Sequence, residues 1–255
     1  MTPENYQDHF FSYHLEGALR SAEQIIPLVL EHHRPKSVID IGCGTGAWLS
    51  AWKKAGVQTI RGVDGDYVNR NELLIAQDEF EAFDLEKGFQ DGQRYELVSC
   101  LEVAEHIRPA SAEKFIASLC SLGDLVLFSA AIPGQEGTLH VNEQYPPYWV
   151  ALFAKNGFVP VDCFRMKTWE NAAVQWWYRQ NLLFFVKEAA LASYPSLESF
   201  RKNQPAIIPS LVHPEIFDHK TRKSDRYERI LANPFRTCRH FAGRFFRSIK
   251  NLFGK

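Results

Sequence analysis

The sequence predicts a doubly wound α/β fold, a mostly parallel sheet of seven strands with helices on both faces. Three observations carry that expectation. Short apolar runs alternate with segments of helical periodicity along most of the chain. The run Val38-Ile-Asp-Ile41 leads into a glycine string, Gly42-Cys-Gly-Thr-Gly46, directly before a helical pattern. Four successive strand-like runs close on an acid, at Asp40, Asp64, Asp84 and Glu102, and the edge where parallel strands end is where open α/β sheets bind ligands.

The elements follow in order. Leu15, Leu19, Ala22, Ile26, Val29 and Leu30 recur near helical spacing, so residues 14–33 read as an amphipathic helix that Pro27 should kink or divide. Val38, Ile39 and Ile41 suit a strand, 37–41, buried on both faces. A helix is expected at 46–55, a strand at 57–63, a short helix near 67–75, and strands at 79–83 and 95–101. A helix at 111–121 and a strand at 124–130 come next, then a helix at 145–156 ended by Asn156-Gly157. A strand at 158–165, an aromatic-rich excursion and a last strand at 181–187 complete the sheet. Beyond it, Pro195, Pro205, Pro209 and Pro214 interrupt any periodicity.

These elements divide the chain into a helical cap (1–34), the α/β domain (35–190), a wrapping or lid segment (191–234) and a basic helix (235–255). With 255 residues, 45% of them hydrophobic and 23% charged, one enzyme-sized domain plus an extension can bury a sizeable core. The cysteines Cys43, Cys100, Cys120, Cys163 and Cys238 are odd in number and form no CxxC pair, a pattern of reduced, cytoplasmic thiols. The N-terminus shows no basic segment leading into an apolar run, so neither a signal peptide nor a spanning helix is expected.

Chemistry is concentrated at the strand ends. Gly42, Gly44 and Gly46 permit positive φ and close approach of a ligand to the backbone, and the helix that follows points free N–H groups at any carboxylate or phosphate above the turn. Such a turn alone also serves dinucleotides or tight packing. The run Val57 to Asp64 adds a carboxylate whose two oxygens match the vicinal hydroxyls of a ribose.

At these residues the chain resembles the class I S-adenosylmethionine-dependent methyltransferases, over roughly residues 15–188. The matching motifs are Asp40-Ile-Gly-Cys-Gly-Thr-Gly46, Gly62-Val-Asp64, Phe83-Asp84-Leu85 and Ser99-Cys-Leu-Glu-Val-Ala-Glu-His106. The resemblance implies a Rossmann-like sheet whose last strand is antiparallel, and S-adenosylmethionine as cofactor. It implies a cofactor-binding set of Asp40, Gly42, Cys43, Gly44, Gly46, Asp64, Asp84, Leu85, Leu101 and Glu102. In that set Gly42 and Gly44 would meet the methionyl part, Asp64 the ribose, and Asp84 with the Leu85 backbone the adenine amine. Asp40 reads equally as a residue that orders the glycine loop, and Asp84 as the cap of the next turn. One departure is Gly65, where many relatives place a larger apolar residue against the adenine. A narrower resemblance, in Phe128 to Trp149 and Trp177-Tyr-Arg-Gln-Asn181, is to bacterial methyltransferases associated with polysaccharide biosynthesis or sugar-containing metabolites.

For methyl transfer to a hydroxyl, a base must remove the proton. His140, in the loop after the fifth strand, is the first candidate, His106 the second and Glu143 the third. A neutral imidazole, with an unperturbed pKa of ~6.5, suits the task; His140 reads alternatively as a residue that orders its loop. No metal site is expected, since His32-His33 lacks ligand spacing with cysteines or acids. Tyr145, Tyr148, Trp149, Trp169, Trp176, Trp177 and Tyr178 supply aromatic walls for a small-molecule or glycan acceptor, or core packing.

From Phe235 onward, Phe241, Phe245, Phe246, Ile249 and Leu252 share one helical arc while Arg236, Arg239, Arg244, Arg247 and Lys250 share the other. The segment contains no acid, which suits peripheral contact with an anionic membrane at the cytoplasmic face, or docking on the domain or a partner. The rest of the chain is net acidic, which argues against nucleic-acid binding. The leading expectation is an O-directed methyltransferase acting on a sugar, glycan intermediate or small metabolite. The alternatives are a nicotinamide-dependent oxidoreductase and a noncatalytic scaffold of the same fold at a membrane.

Overall fold

The structure is a computed structural model that describes the backbone of residues 3–231 and the side chains of residues 15–225 and of Glu228. The basic segment 235–255 lies outside the described residues. Residues up to Leu211 form one compact unit and residues from Val212 a second, which contains the helix α8 (Pro214–Leu231). Among the described residues no helix is long and apolar enough to cross a membrane.

The first unit is a seven-stranded sheet. Its strands are β1 (Ser37–Ile41), β2 (Thr59–Asp64), β3 (Phe80–Ala82), β4 (Leu97–Leu101), β5 (Leu125–Ser129), β6 (Phe158–Val161) and β7 (Leu183–Lys187). They lie in the order β3-β2-β1-β4-β5-β7-β6. The pairs from β3 to β5 are parallel, whereas β7 runs antiparallel to both β5 and β6. The order reverses at β1, between β2 and β4, which puts a crevice at their carboxyl ends.

Each face of the sheet is covered because every central strand is apolar on both sides. On one face α1 (Pro3–Leu30) and α2 (Ala47–Lys54) bring Ile25, Val29, Leu49 and Trp52 against Val38, Leu97, Leu125 and Phe184. On the other, α3 (Pro109–Leu122) and α4 (Pro146–Lys155) bring Phe115, Leu119, Trp149 and Phe153 against Ile39, Val98, Phe128 and Phe185. Phe153 stacks on Phe185 with ring centroids 3.7 Å apart. Trp149 and Tyr178 are therefore core residues, while Tyr145 stays exposed.

Several boundaries differ from the periodicity. Helix α1 starts at Pro3 and runs through Pro27 to Leu30 without dividing. Residues 67–75 hold only a 3-10 turn, Arg70–Glu72, because the Asn69 side chain accepts from the Asn71 N–H and diverts the backbone from a helix. Strand β6 stops at Val161, and α5 (Arg165–Thr168) and α6 (Trp176–Asn181) fill the aromatic excursion. The stop has a physical cause: Arg165 is 0% exposed, pairs with Asp162 at 2.6 Å and donates to the Pro209 carbonyl at 2.9 Å. Replacing Arg165 with alanine is expected to cost about 3–5 kcal/mol, since Asp162 is left in the interior without its counter-charge. A thermal melt would check it, and an unshifted midpoint would refute it.

After β7, α7 (Pro195–Asn203) buries Leu197 in the first cluster, and Gln204 clips onto the β6 edge by accepting from the Asp162 N–H and donating to the Pro160 carbonyl. His32 and His33 follow α1 and pack on this layer, His32 beside Ser196 at 3.1 Å and His33 edge-on to Tyr194. Cys43, Cys100, Cys120 and Cys163 are buried and free.

Candidate active site

The crevice is built from the ends of β1, β2, β4 and β5. At β1, Gly42 takes φ +84 so that its N–H reaches the Val63 carbonyl at 2.7 Å, and a Cβ there would meet Val103 at 2.2 Å. Gly44, at φ +54, is different: a Cβ there would meet nothing within 4 Å, so its backbone faces open space. Gly46 is the N-cap of α2 and provides no side-chain cap, which leaves the first N–H groups of that helix for a ligand. Cys43 is buried and its thiol pushed well up by burial, so it supports the loop rather than reacting. Asp40 is also buried, which raises its carboxyl to about 7 against the pull of the Ser99 hydroxyl on the neighbouring strand.

Asp64 ends β2 beneath this loop. It accepts from the Gly44 N–H at 2.7 Å and the Gly65 N–H at 2.6 Å, so one carboxylate joins the glycine loop to the next strand end. The Tyr67 hydroxyl donates to it at 2.5 Å, although Tyr67 is 85% exposed. Tyr67 was not singled out from sequence; only its position three residues after Asp64 hints at the contact. Its ring also explains Gly65, where a Cβ would lie 2.2 Å from Tyr67. At the end of β3, Asp84 accepts from the Glu86 N–H at 3.2 Å and so caps the 3-10 turn Leu85–Lys87, while Leu85 packs on the second core cluster.

On the other side, Leu101 is buried and Glu102 leaves β4 at φ +56, a conformation rare for a residue with a side chain. The turn makes Glu102 point inward, where it accepts from Gln135 at 2.6 Å and Asn181 at 3.1 Å. Burial raises its carboxyl, and Asn181, Ser129 and Gln135 hold it back. The 3-10 turn Ala104–His106 follows. The Glu105 carbonyl accepts from the N–H groups of Val141 and Asn142, both at 2.9 Å, and so brings the loop after β5 onto this turn.

That contact unites the three proton-transfer candidates. The His106 and His140 rings meet edge to face with centroids 4.8 Å apart. His140 is held through Nδ1, 2.8 Å from Glu143. Glu143 in turn accepts from the Gly134 N–H at 2.7 Å and the Glu136 N–H at 2.9 Å, which makes it the orienting partner of His140. His106 Nδ1 lies 3.3 Å from the Leu139 carbonyl. A carbonyl only accepts, so Nδ1 carries the proton there and Nε2 keeps its lone pair. Desolvation first, and then His140, lowers the His106 pKa. Glu105, the acid between these groups, is 1% exposed; burial and then the Glu102 charge push its carboxyl well above the ordinary range.

The methyltransferase-domain family matches residues 13–202, three quarters of the chain. The chain belongs to that family. It is of the class I S-adenosylmethionine-dependent type, and its fold is the one expected. A search of solved structures finds the magnesium protoporphyrin IX methyltransferase of Synechocystis PCC 6803 with bound S-adenosylmethionine, at TM-score 0.51 and 22% identity over 67% of this chain and 80% of that one. The sugar N-methyltransferase of Streptoalloteichus sp. ATCC 53650 superposes with TM-score 0.56 and 15% identity, over 71% of this chain and 92% of that one. Among curated proteins, the ubiquinone biosynthesis O-methyltransferase of Yersinia pestis is 28% identical over 130 residues, or 45% of this chain. The chain spans about half the length of such curated relatives, 53% in this case. The methyltransferase crevice fits the family's cofactor: open space above Gly44, an uncapped α2 N-terminus and a diol-matching carboxylate at Asp64 converge on one rim.

Proposed function

We propose that this methyltransferase acts on a hydroxyl oxygen of a sugar, a glycan intermediate or a related small metabolite. The observation that carries the reading is His140, fixed by Glu143 on the loop after β5, with its Nε2 turned away from that partner and toward Glu105 at 3.9 Å. The side chain is 13% exposed, so it is sheltered yet reachable.

When bound, S-adenosylmethionine supplies a methyl group already activated as a sulfonium, so the chain has to align the acceptor and deal with its proton. The Gly44 backbone and the α2 N-terminus hold the carboxylate end of the donor. Asp64 holds the ribose, exchanging its Tyr67 contact for the sugar hydroxyls. Glu102, fixed by Gln135 and Asn181, lines the cleft between donor and acceptor. His140 would receive the acceptor's proton at Nε2 as the oxygen takes the methyl group, and the donor's sulfonium would become a neutral thioether.

Tyr145 and Tyr148 follow Glu143, and Trp176 and Trp177 share α6 with Asn181; all four keep exposed area, as a wall for a sugar ring or flat metabolite requires. The likeness to a sugar N-methyltransferase and to a ubiquinone biosynthesis O-methyltransferase supports a small-molecule acceptor. A cytoplasmic location accords with the cysteine pattern, and peripheral membrane contact through 235–255 remains a separate expectation. The test is incubation of the purified protein with methyl-labelled donor and host extract. A labelled methyl ether, stable to mild alkali, is the expected product; label on nitrogen, or none, would overturn the hydroxyl assignment.

A further inference from the structure

The proton-transfer cluster contains more donor atoms than a base requires. Glu105 is 1% exposed, and neither of its carboxylate oxygens has a hydrogen-bond partner. A buried carboxyl group whose two oxygens meet no donor at good hydrogen-bond geometry calls for an explanation. Around it, Glu105, His106 and His140 each offer one ligand atom, and the three atoms lie within 4.8 Å of one another. Both imidazoles have their other nitrogen engaged, His106 at the Leu139 carbonyl and His140 at Glu143. That is the arrangement by which a carbonyl or carboxylate orients a metal-ligating histidine and sets its tautomer. Only a glycine at 137 admits the imidazole in this position, since a Cβ there would lie 2.1 Å from His140 Nε2. Two of the three residues come from the turn after β4 and one from the loop after β5, so the cluster stands at the same rim as Asp64 and Glu102.

We propose that Glu105, His106 and His140 bind a divalent first-row transition cation at the acceptor side of the crevice. Two imidazoles and one carboxylate suit zinc, cobalt, manganese or iron(II) rather than magnesium or calcium, which prefer all-oxygen shells. Binding would draw the three atoms to the ~2.0–2.2 Å bond lengths of such an ion. Three protein ligands leave positions open for the acceptor. This inference rests on the methyl-transfer reading and deepens it. The acceptor hydroxyl coordinates the cation, which lowers its pKa, and its proton passes to water. The oxygen then attacks the methyl carbon as the carbon–sulfur bond breaks. With the cation bound, His140 acts on the hydroxyl by holding the ion, and water takes the proton that Nε2 receives when the site is empty.

Cobalt(II) tests this directly. The full chain, stripped with a chelator and desalted, is titrated with Co2+ alone and followed by visible absorption, with S-adenosylhomocysteine binding measured in parallel by calorimetry. One equivalent of Co2+ is expected to produce a ligand-field band. The band should be lost in Glu105→Gln, in His140→Ala and in His106→Ala, while affinity for S-adenosylhomocysteine is kept. His106 is exposed, so its variant tests the ligand set without disturbing the core. No band with the wild-type chain, or an undiminished band in the Glu105→Gln and His106→Ala variants, would overturn the site. Failure of S-adenosylhomocysteine to bind the wild type would instead defeat the methyl-transfer reading, whatever cobalt does.

Discussion

Asp64→Ala should weaken binding of S-adenosylhomocysteine by about 100-fold, with the fold retained. The carboxylate is buried at the end of β2 and already fixed by the Gly44 and Gly65 N–H groups. A ribose diol that replaces the Tyr67 hydroxyl makes charge-assisted bonds to it, each worth about 1.5–3 kcal/mol. Losing about 2.7 kcal/mol corresponds to that 100-fold change, at 1.4 kcal/mol per tenfold. Alanine also frees the Gly44 N–H, so the loop loses one of its ties to β2 while Gly42 keeps its bond to Val63, and the two effects act in the same direction. Calorimetric titration of the variant against wild type gives the ratio, and a thermal melt checks that the sheet survives. An unchanged affinity would remove Asp64 from the ribose site.

The second large effect is on turnover. His140→Ala should lower kcat by about 10²–10⁴-fold, the range for loss of acid–base assistance, whether Nε2 receives the acceptor's proton or holds the ion that releases it. Affinity for the donor should hold, because His140 is held by Glu143 on the loop after β5, whereas the glycine string and Asp64 follow β1 and β2. Glu143→Gln should have a smaller effect in the same direction, since it weakens the orientation of the imidazole while leaving Nε2 in place. Both are read with the acceptor that the labelling experiment identifies. Normal turnover by His140→Ala would move the chemistry to His106.

The architecture was legible because its signals are local. An apolar pentapeptide buried on both faces, a glycine turn and a helix must follow one another for β1 and α2 to form, and residues 37–54 state this outright. Asp64 was legible for the same reason, as the acid at the tip of the next strand. What escaped depended on partners distant in the chain. Residues 67–75 have helical spacing, yet the Asn69 side chain satisfies the backbone first. Strand β6 looked longer because Arg165 gives no sign in sequence that it is buried, where Asp162 and the Pro209 carbonyl receive it. Glu105 resembled any acid of a turn; its isolation appears only when the loop carrying His140 folds over it. Tyr67, which meets Asp64 through a hydroxyl on an exposed ring, has no periodic signature at all. His140 stands out in the sequence by chemistry and loop position, and its contact with Glu143, three residues on, fits both a positioned base and a residue that orders its loop.

The account depends on one property, a crevice at the carboxyl rim of the sheet that takes the methyl donor. Calorimetric titration of the wild-type chain with S-adenosylmethionine, and then with S-adenosylhomocysteine, measures it most directly. A single saturable binding event for each, competitive with the other, is the result predicted. Absence of heat and of any melting shift with both compounds would contradict it.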